Sequence, residues 1–180
     1  MKKYARDEIL RFLAEVDELL DEPVKMEIIG GAAALIAYGA QSPTKDIDSF
    51  EGIDERISRA ALLVPHKIPL DRATVADPPW YYLDRCQHLD LPFRKLVICV
   101  PERHDLFLMK AVRSSRHDDE VIQEMHQAEP FDLETIVERY NEEMGQAIGD
   151  HDILDQKIEL LLEILFGERG RRKVGKRRQK

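Results

Sequence analysis

The sequence predicts an α+β protein in which a small mixed sheet with flanking helices is followed by a helical C-terminal lobe. Apolar runs and alternations typical of strands occur only in the first two thirds of the 180 residues, whereas from Asp118 onward every apolar pattern has helical spacing. No apolar run approaches the roughly 18 residues that a membrane-spanning helix needs. A chain of this length can bury a core without disulfides or a structural metal.

The charge distribution divides the chain. Residues 169–180 contain eight Lys or Arg and no acidic residue, so residues 1–168 carry a formal charge of −16 although the whole chain carries −8. We predict three segments: an α/β core at 1–116, a helical lobe at 117–168 and a basic, disordered tail. Because the acidic body repels polyanions, the tail is the segment expected to attract RNA such as tRNA, and a solubilising end is the alternative.

The core is predicted to alternate helices with strands. Residues 4–20 place apolar side chains at helical spacing, and the strand at 24–29 ends in two glycines before a short helix of small apolar residues. The remaining predicted elements are a strand at 44–50, a helix at 54–63, a strand within 66–75, a strand at 93–100, a helix from Pro101 to Ser114 and helices at 118–128, 131–148 and 151–167.

Two carboxylates mark the predicted strand at 44–50. Asp46 and Asp48 are two residues apart, so on a strand both side chains project from one face. Neighbouring carboxylates repel unless a cation lies between them, and Mg²⁺ (or Mn²⁺) prefers such oxygen ligands together with substrate phosphates. A solvated strand face has the same spacing, so the pair alone leaves both interpretations open.

Two glycines precede the short helix. Gly30 and Gly31 offer unhindered backbone N–H groups at the positive end of that helix, an arrangement suited to phosphate, and a plain turn is the alternative. A phosphate site and a metal site joined by one short helix indicate phosphoryl or nucleotidyl transfer.

The segment GGAAALIAYGAQSPTKDID, residues 30–48, resembles the signature of the DNA polymerase β-like nucleotidyltransferase superfamily. It is especially similar to the minimal nucleotidyltransferases of bacteria and archaea, some of which are toxins of toxin–antitoxin systems. The resemblance implies a polymerase β-like core that moves NMP from an NTP to a hydroxyl of tRNA or protein, and a cognate antitoxin as a partner. Thr44 partly matches the threonine-rich approach to Asp-x-Asp, which implies nucleotide binding.

A second resemblance lies downstream. The same families have a helix that starts Pro-Glu-Asp-Leu, then a lysine, then a Lys-Asp or Arg-Asp pair, and this chain has Pro101-Glu102-Arg103-His104-Asp105-Leu106, Lys110 and His117-Asp118. The resemblance implies that Lys110 binds the triphosphate and that Asp118 holds this lysine or shapes the site. His117 departs from the family pattern.

Polymerase β-like enzymes usually have a third carboxylate on a neighbouring strand. Asp71 is the candidate because it follows an alternating apolar pattern, and Asp77 is the alternative. This carboxylate would complete the metal site and serve as the general base for the acceptor hydroxyl.

Other interpretations of the same residues remain open. The enzyme could instead modify a small molecule such as an antibiotic, or the chain could be a non-catalytic relative that binds a nucleotide or a protein partner. Cys86 and Cys99 stand alone without metal-ligand spacing, which favours reduced thiols and a cytoplasmic protein.

Overall fold

A computed structural model describes residues 2–73, 77–113 and 115–175, which form two compact units. The first unit comprises Met1–Thr74 and Cys86–Pro101, and the second comprises Val75–Arg85 and Glu102–Lys180. The helices are α1 (Arg6–Leu19), α2 (Gly30–Ala37), α3 (Glu55–Leu63), α4 (Arg103–Arg113), α5 (Arg116–Ala128), α6 (Leu133–Glu143) and α7 (His151–Phe166). The strands are β1 (Val24–Glu27), β2 (Ile47–Ser49), β3 (Leu70–Arg72), β4 (Gln87–His88) and β5 (Leu96–Val100).

Three strands of the first unit form a small mixed sheet, as predicted. β5 lies between β1, with which it pairs in parallel, and β4, with which it pairs antiparallel. β2 and β3 form a separate parallel pair. An isolated bridge connects the two sets: the backbone N–H of Ile29 donates a 2.9 Å hydrogen bond to the carbonyl of Asp48. The end of β1 and the start of α2 are thereby fixed beside β2.

The core of the first unit depends on the amphipathic helix α1 and the small residues of α2. Ile9, Phe12 and Leu13 are fully buried on one side of α1, and the alanines at 32–34 allow α2 to pack closely. Asp17 fixes the beginning of β5, since its buried carboxylate accepts hydrogen bonds from three consecutive backbone N–H groups at residues 94–96. A sheet of very short strands is thus held by helices and by side-chain anchors.

The second unit is helical, with α4 packed against α5, α6 and α7. The N-termini of α5, α6 and α7 are capped by the side chains of Ser115, Asp132 and Asp150. Arg85 makes bidentate contacts with both Asp105, which is completely buried, and Glu143. This network joins the segment before β4 to the helices. The predicted helical character of the C-terminal third is therefore confirmed.

Several predicted boundaries differ from the structure. The helix predicted to reach residue 148 ends at Glu143, and the strand predicted within 66–75 contains only three residues. In the basic tail, Arg171, Arg172 and Lys173 form ion pairs with Glu163, Glu134 and Glu159. The disorder of the tail remains a prediction. Residues 176–180 lie outside the described residues. Among the described residues, no helix has the length and apolar character required to cross a membrane.

Candidate active site

The paired strands β2 and β3 bring three aspartates together. Asp48 lies on β2 directly beside Asp71 on β3, and Asp46 stands just before β2. One carboxylate oxygen from each residue lies within 4.8 Å of those of the other two. Parallel pairing is what produces this group, because it places Asp71 in register with Asp48. The structure therefore assembles Asp46, Asp48 and Asp71, whereas the alternative candidate, Asp77, belongs to the second unit.

The chemistry of the three carboxylates suits a hard divalent cation. Asp46 and Asp48 are half-buried and Asp71 is exposed, so the group is open to solvent on one side while its negative charges are close together. Three anionic oxygens at this separation repel one another, and a cation such as Mg²⁺ or Mn²⁺ takes oxygen ligands of this kind. The donor set therefore fits the metal predicted from the sequence.

Gly30 begins α2 directly against this group. Its φ of +67° belongs to the left-handed region that favours glycine, and a Cβ at this position would lie 3.1 Å from Oδ2 of Asp48. A side chain would consequently push against the carboxylate. The first glycine of the pair is required both by the backbone conformation and by the proximity of Asp48.

Gly31 is required for a different reason. A Cβ on Gly31 would lie 2.6 Å from Oγ1 and 3.0 Å from Cβ of Thr44. Thr44 is itself buried, and its backbone pairs with that of Tyr4 through two hydrogen bonds. Thr44 therefore packs against the start of α2, and its predicted contact with nucleotide remains a prediction.

Glu27, the last residue of β1, was not among the residues that the sequence predicted for the site. Its buried carboxylate accepts hydrogen bonds from the hydroxyl of Ser49 and from the backbone N–H groups of Phe50 and Glu51, directly after Asp48. The signal in the sequence is a glutamate at the end of a short strand, and it does not identify these partners.

Lys110 and Asp118 form a buried ion pair in the second unit. Nζ of Lys110 lies 3.1 Å from Oδ1 of Asp118, and the lysine side chain is only 2% exposed. Arg113 also donates two hydrogen bonds to Asp118. The predicted association of the lysine with the aspartate is present, while their predicted roles toward the triphosphate remain predictions.

The protonation of Asp118 follows from these contacts. Burial by itself would raise the pKa of its carboxyl group, but the hydrogen bonds from Arg113 and the positive charge of Lys110 outweigh burial and hold the pKa far below its usual range. Ser115, which caps α5, donates a further hydrogen bond from its hydroxyl. Asp118 is therefore a buried anion that neutralises two cations of α4.

Comparison with known proteins gives one family. The family model described as "Nucleotidyltransferase of unknown function (DUF6036)" matches residues 7–160 and therefore spans both units. Neither a curated protein nor a solved structure shows a significant match to the chain.

Proposed function

The chain belongs to the family of nucleotidyltransferases of unknown function (DUF6036), and we propose that it moves an NMP group from a nucleoside triphosphate to a hydroxyl acceptor. The observation that carries this proposal is the meeting of Asp46, Asp48 and Asp71 beside the glycines that begin α2. This arrangement is the one expected of a polymerase β-like enzyme, the superfamily to which we assign the fold.

The three aspartates are the proposed ligands of a divalent metal ion, Mg²⁺ or Mn²⁺. When bound, such an ion supplies positive charge against the phosphates of the nucleotide. Asp71 is the exposed member of the group and is therefore the residue proposed to accept a proton from the incoming acceptor.

The proposed reaction is an in-line displacement at the α-phosphorus. The hydroxyl oxygen of the acceptor forms a bond to this phosphorus while the bond to the bridging oxygen of the β-phosphate breaks. Pyrophosphate leaves with that oxygen, and the proton of the hydroxyl passes to Asp71. The nucleotidylated product and pyrophosphate together contain all atoms of the triphosphate and the acceptor except this proton, which Asp71 then releases to solvent or to the departing pyrophosphate.

The backbone at the start of α2 is the proposed phosphate site. The first N–H groups of a helix have no partner within the helix, and Gly30 and Gly31 present them without side chains in front. We propose that Lys110, held by Asp118, contributes positive charge toward the triphosphate. Thr44, packed against Gly31, would fix the position of the helix start.

Three classes of acceptor are compatible with this proposal. A tRNA acceptor would use the basic segment 169–180, although the ion pairs of Arg171, Arg172 and Lys173 already neutralise part of its charge. A protein acceptor would fit the role of a cytoplasmic toxin controlled by an antitoxin. A small molecule such as an antibiotic would make no use of the basic segment.

The test is a transfer assay with each of the four NTPs labelled at the α-phosphate, in Mg²⁺ or Mn²⁺, with tRNA, total protein and small-molecule acceptors offered separately. We expect one acceptor class to become labelled as pyrophosphate is released. Asp46→Asn and Asp48→Asn should abolish labelling, and Asp71→Asn should reduce its rate by roughly 10²–10⁴-fold through loss of the general base.

The three residues Asp46, Asp48 and Asp71 are called the triad below. The matched control is Asp21→Asn, which neutralises an exposed aspartate of the same unit outside the triad. It should leave labelling unchanged. Full activity in either Asp46→Asn or Asp48→Asn would refute the proposed metal site. Tight binding of an NTP by a wild-type protein that labels no acceptor would instead favour a non-catalytic relative.

A further inference from the structure

A buried glutamate contacts the residues that directly follow Asp48 of the triad. Glu27 ends β1 and is 6% exposed, and its Oε2 accepts hydrogen bonds from the hydroxyl of Ser49 (3.2 Å) and from the backbone N–H groups of Phe50 and Glu51 (both 2.9 Å). These three donors belong to the three residues that immediately follow Asp48. One oxygen atom on a neighbouring strand therefore holds the chain as it leaves β2.

Further contacts hold the segment on either side of residues 49–51. The hydroxyl of Ser49 also lies 3.0 Å from the carbonyl of Gly52, whose φ is +97°. On the opposite side, the carbonyl of Ser49 accepts a hydrogen bond from Ala73, just after β3. β2 has only three residues, so these contacts, with the bridge from Ile29, fix the short strand that carries Asp48.

We propose that Glu27 is a positioning residue for Asp48. By accepting three hydrogen bonds from residues 49–51, it keeps the Asp48 carboxylate within 4.8 Å of those of Asp46 and Asp71. The inference rests on the proposed function in so far as the triad is taken to bind a metal. Residues that orient metal ligands typically change metal affinity by about 10–100-fold when they are altered. Glu27 acts through geometry and would touch neither metal nor substrate.

Two conservative variants separate geometry from charge. Glu27→Gln keeps a carbonyl oxygen at the same distance but removes the negative charge, so it should bind Mn²⁺ within about threefold of the wild type. Glu27→Asp keeps the charge but withdraws the oxygens by about 1.5 Å, the length of one C–C bond, so it should weaken Mn²⁺ binding by about 10–100-fold. An electrostatic role for Glu27 would give the reverse order.

Asp17 provides the control for a purely structural effect. It is also a buried carboxylate of the first unit that accepts three consecutive backbone N–H groups, but these belong to residues 94–96 and not to the triad. Asp17→Ala should lower the melting temperature as much as a Glu27 variant does while leaving the Mn²⁺ affinity unchanged.

The experiment measures Mn²⁺ binding by electron paramagnetic resonance in the full-length wild type, Glu27→Gln, Glu27→Asp and Asp17→Ala. Hydrogen exchange of the Phe50 and Glu51 amides is followed in the same samples without metal, and should be faster in Glu27→Asp only. Wild-type Mn²⁺ affinity or unchanged exchange in Glu27→Asp would overturn the positioning role. A wild type that binds no Mn²⁺ would refute the proposed metal site, and the exchange rates would still decide whether Glu27 holds the turn.

Discussion

Gly30 lies so close to Asp48 that a Cβ on the glycine would stand 3.1 Å from Oδ2 of the carboxylate. The first residue of α2 is therefore in close contact with a carboxylate of the triad. Under the proposed function, the position that would offer backbone N–H groups to a phosphate is also the position that must leave room for the carboxylate of Asp48.

We expect Gly30→Ala to destabilise the protein and to weaken metal binding together. The left-handed φ alone should cost about 1–2 kcal/mol, and the new methyl group should displace Asp48. Gly167→Ala is the control for a substitution at positive φ away from the carboxylates, because Gly167 has a φ of +61° with open space around it. Chemical denaturation should show a loss of stability in both variants, and Mn²⁺ titration should show weaker binding in Gly30→Ala alone. Equal Mn²⁺ affinity in the two would contradict the proposed proximity effect.

Gly31→Ala should be destabilised by overpacking against Thr44, by about 1–3 kcal/mol. Replacing Thr44 with Ala in the same protein removes the oxygen that would lie 2.6 Å from the new Cβ. The double variant should therefore be less destabilised than the sum of the two single variants predicts, as urea denaturation can measure. Gly145→Ala, where space is open, serves as the control. Simple additivity of the Gly31 and Thr44 substitutions would refute the contact.

Asp71→Asn should stabilise the metal-free protein slightly and reduce its stabilisation by metal. The three carboxylates lie within 4.8 Å, and removing the exposed one relieves repulsion of roughly 1 kcal/mol at an effective dielectric near that of water. Thermal unfolding with and without Mn²⁺ should show a higher melting temperature in the absence of metal and a smaller rise on addition. The exposed Asp21→Asn should match the wild type in both conditions. A lower metal-free melting temperature would show that mutual repulsion is not significant.

Removing Asp118 should deprive the buried Lys110 of the carboxylate that lies 3.1 Å from its Nζ. Breaking a buried ion pair by deleting one partner typically costs about 3–5 kcal/mol, whereas replacing both partners with apolar residues is often tolerated. Urea denaturation should therefore show that Asp118→Leu is strongly destabilised. The double variant Lys110→Met/Asp118→Leu should regain most of the lost stability. If Lys110 binds the triphosphate, the recovered double variant should still bind NTP more weakly than the wild type. A recovered variant with full NTP affinity would exclude this role.

Glu102 should make the second unit more stable near neutral pH than in acid. Burial tends to raise the pKa of Glu102, but hydrogen bonds from His104 and Arg139 prevail and lower it to about 2 from 4.5. Because the folded pKa is below the unfolded one, the contribution is complete above about pH 5 and disappears as the pH falls towards 2. The free energy of unfolding of the wild type should exceed that of Glu102→Gln by about 3 kcal/mol at neutral pH, and this difference should decrease in acid. Denaturation between pH 2 and 7 measures the difference.

The control for this pH dependence is Glu120→Gln, because Glu120 is exposed and its ion pair with Arg116 lies on the surface. Surface pairs contribute about 0–1 kcal/mol, so this substitution should change stability little at any pH. If the difference in free energy of unfolding between the wild type and Glu102→Gln stays constant down to pH 2, the ionised carboxylate is not the stabilising form.

The sequence by itself determined the elements and the residue types of the candidate site. Apolar periodicity predicted the helices, and the spacing of Asp46 and Asp48 with the preceding glycines predicted a metal and phosphate site, because both signals depend on local geometry alone. The end of helix α6 and the ion pair between Arg172 and Glu134 were not predicted, since the ion pair joins residues that are far apart in the sequence.

Only the tertiary structure decided which distant residues join the site. Asp71 meets Asp48 because β2 and β3 pair in parallel and in one register, and a shift of one residue would have turned its side chain to the other face. Glu27 became relevant because the end of β1 lies beside the turn after β2. Such contacts join residues more than twenty positions apart. The apolar pattern of the sequence does not indicate which of several distant carboxylates the strand pairing brings together.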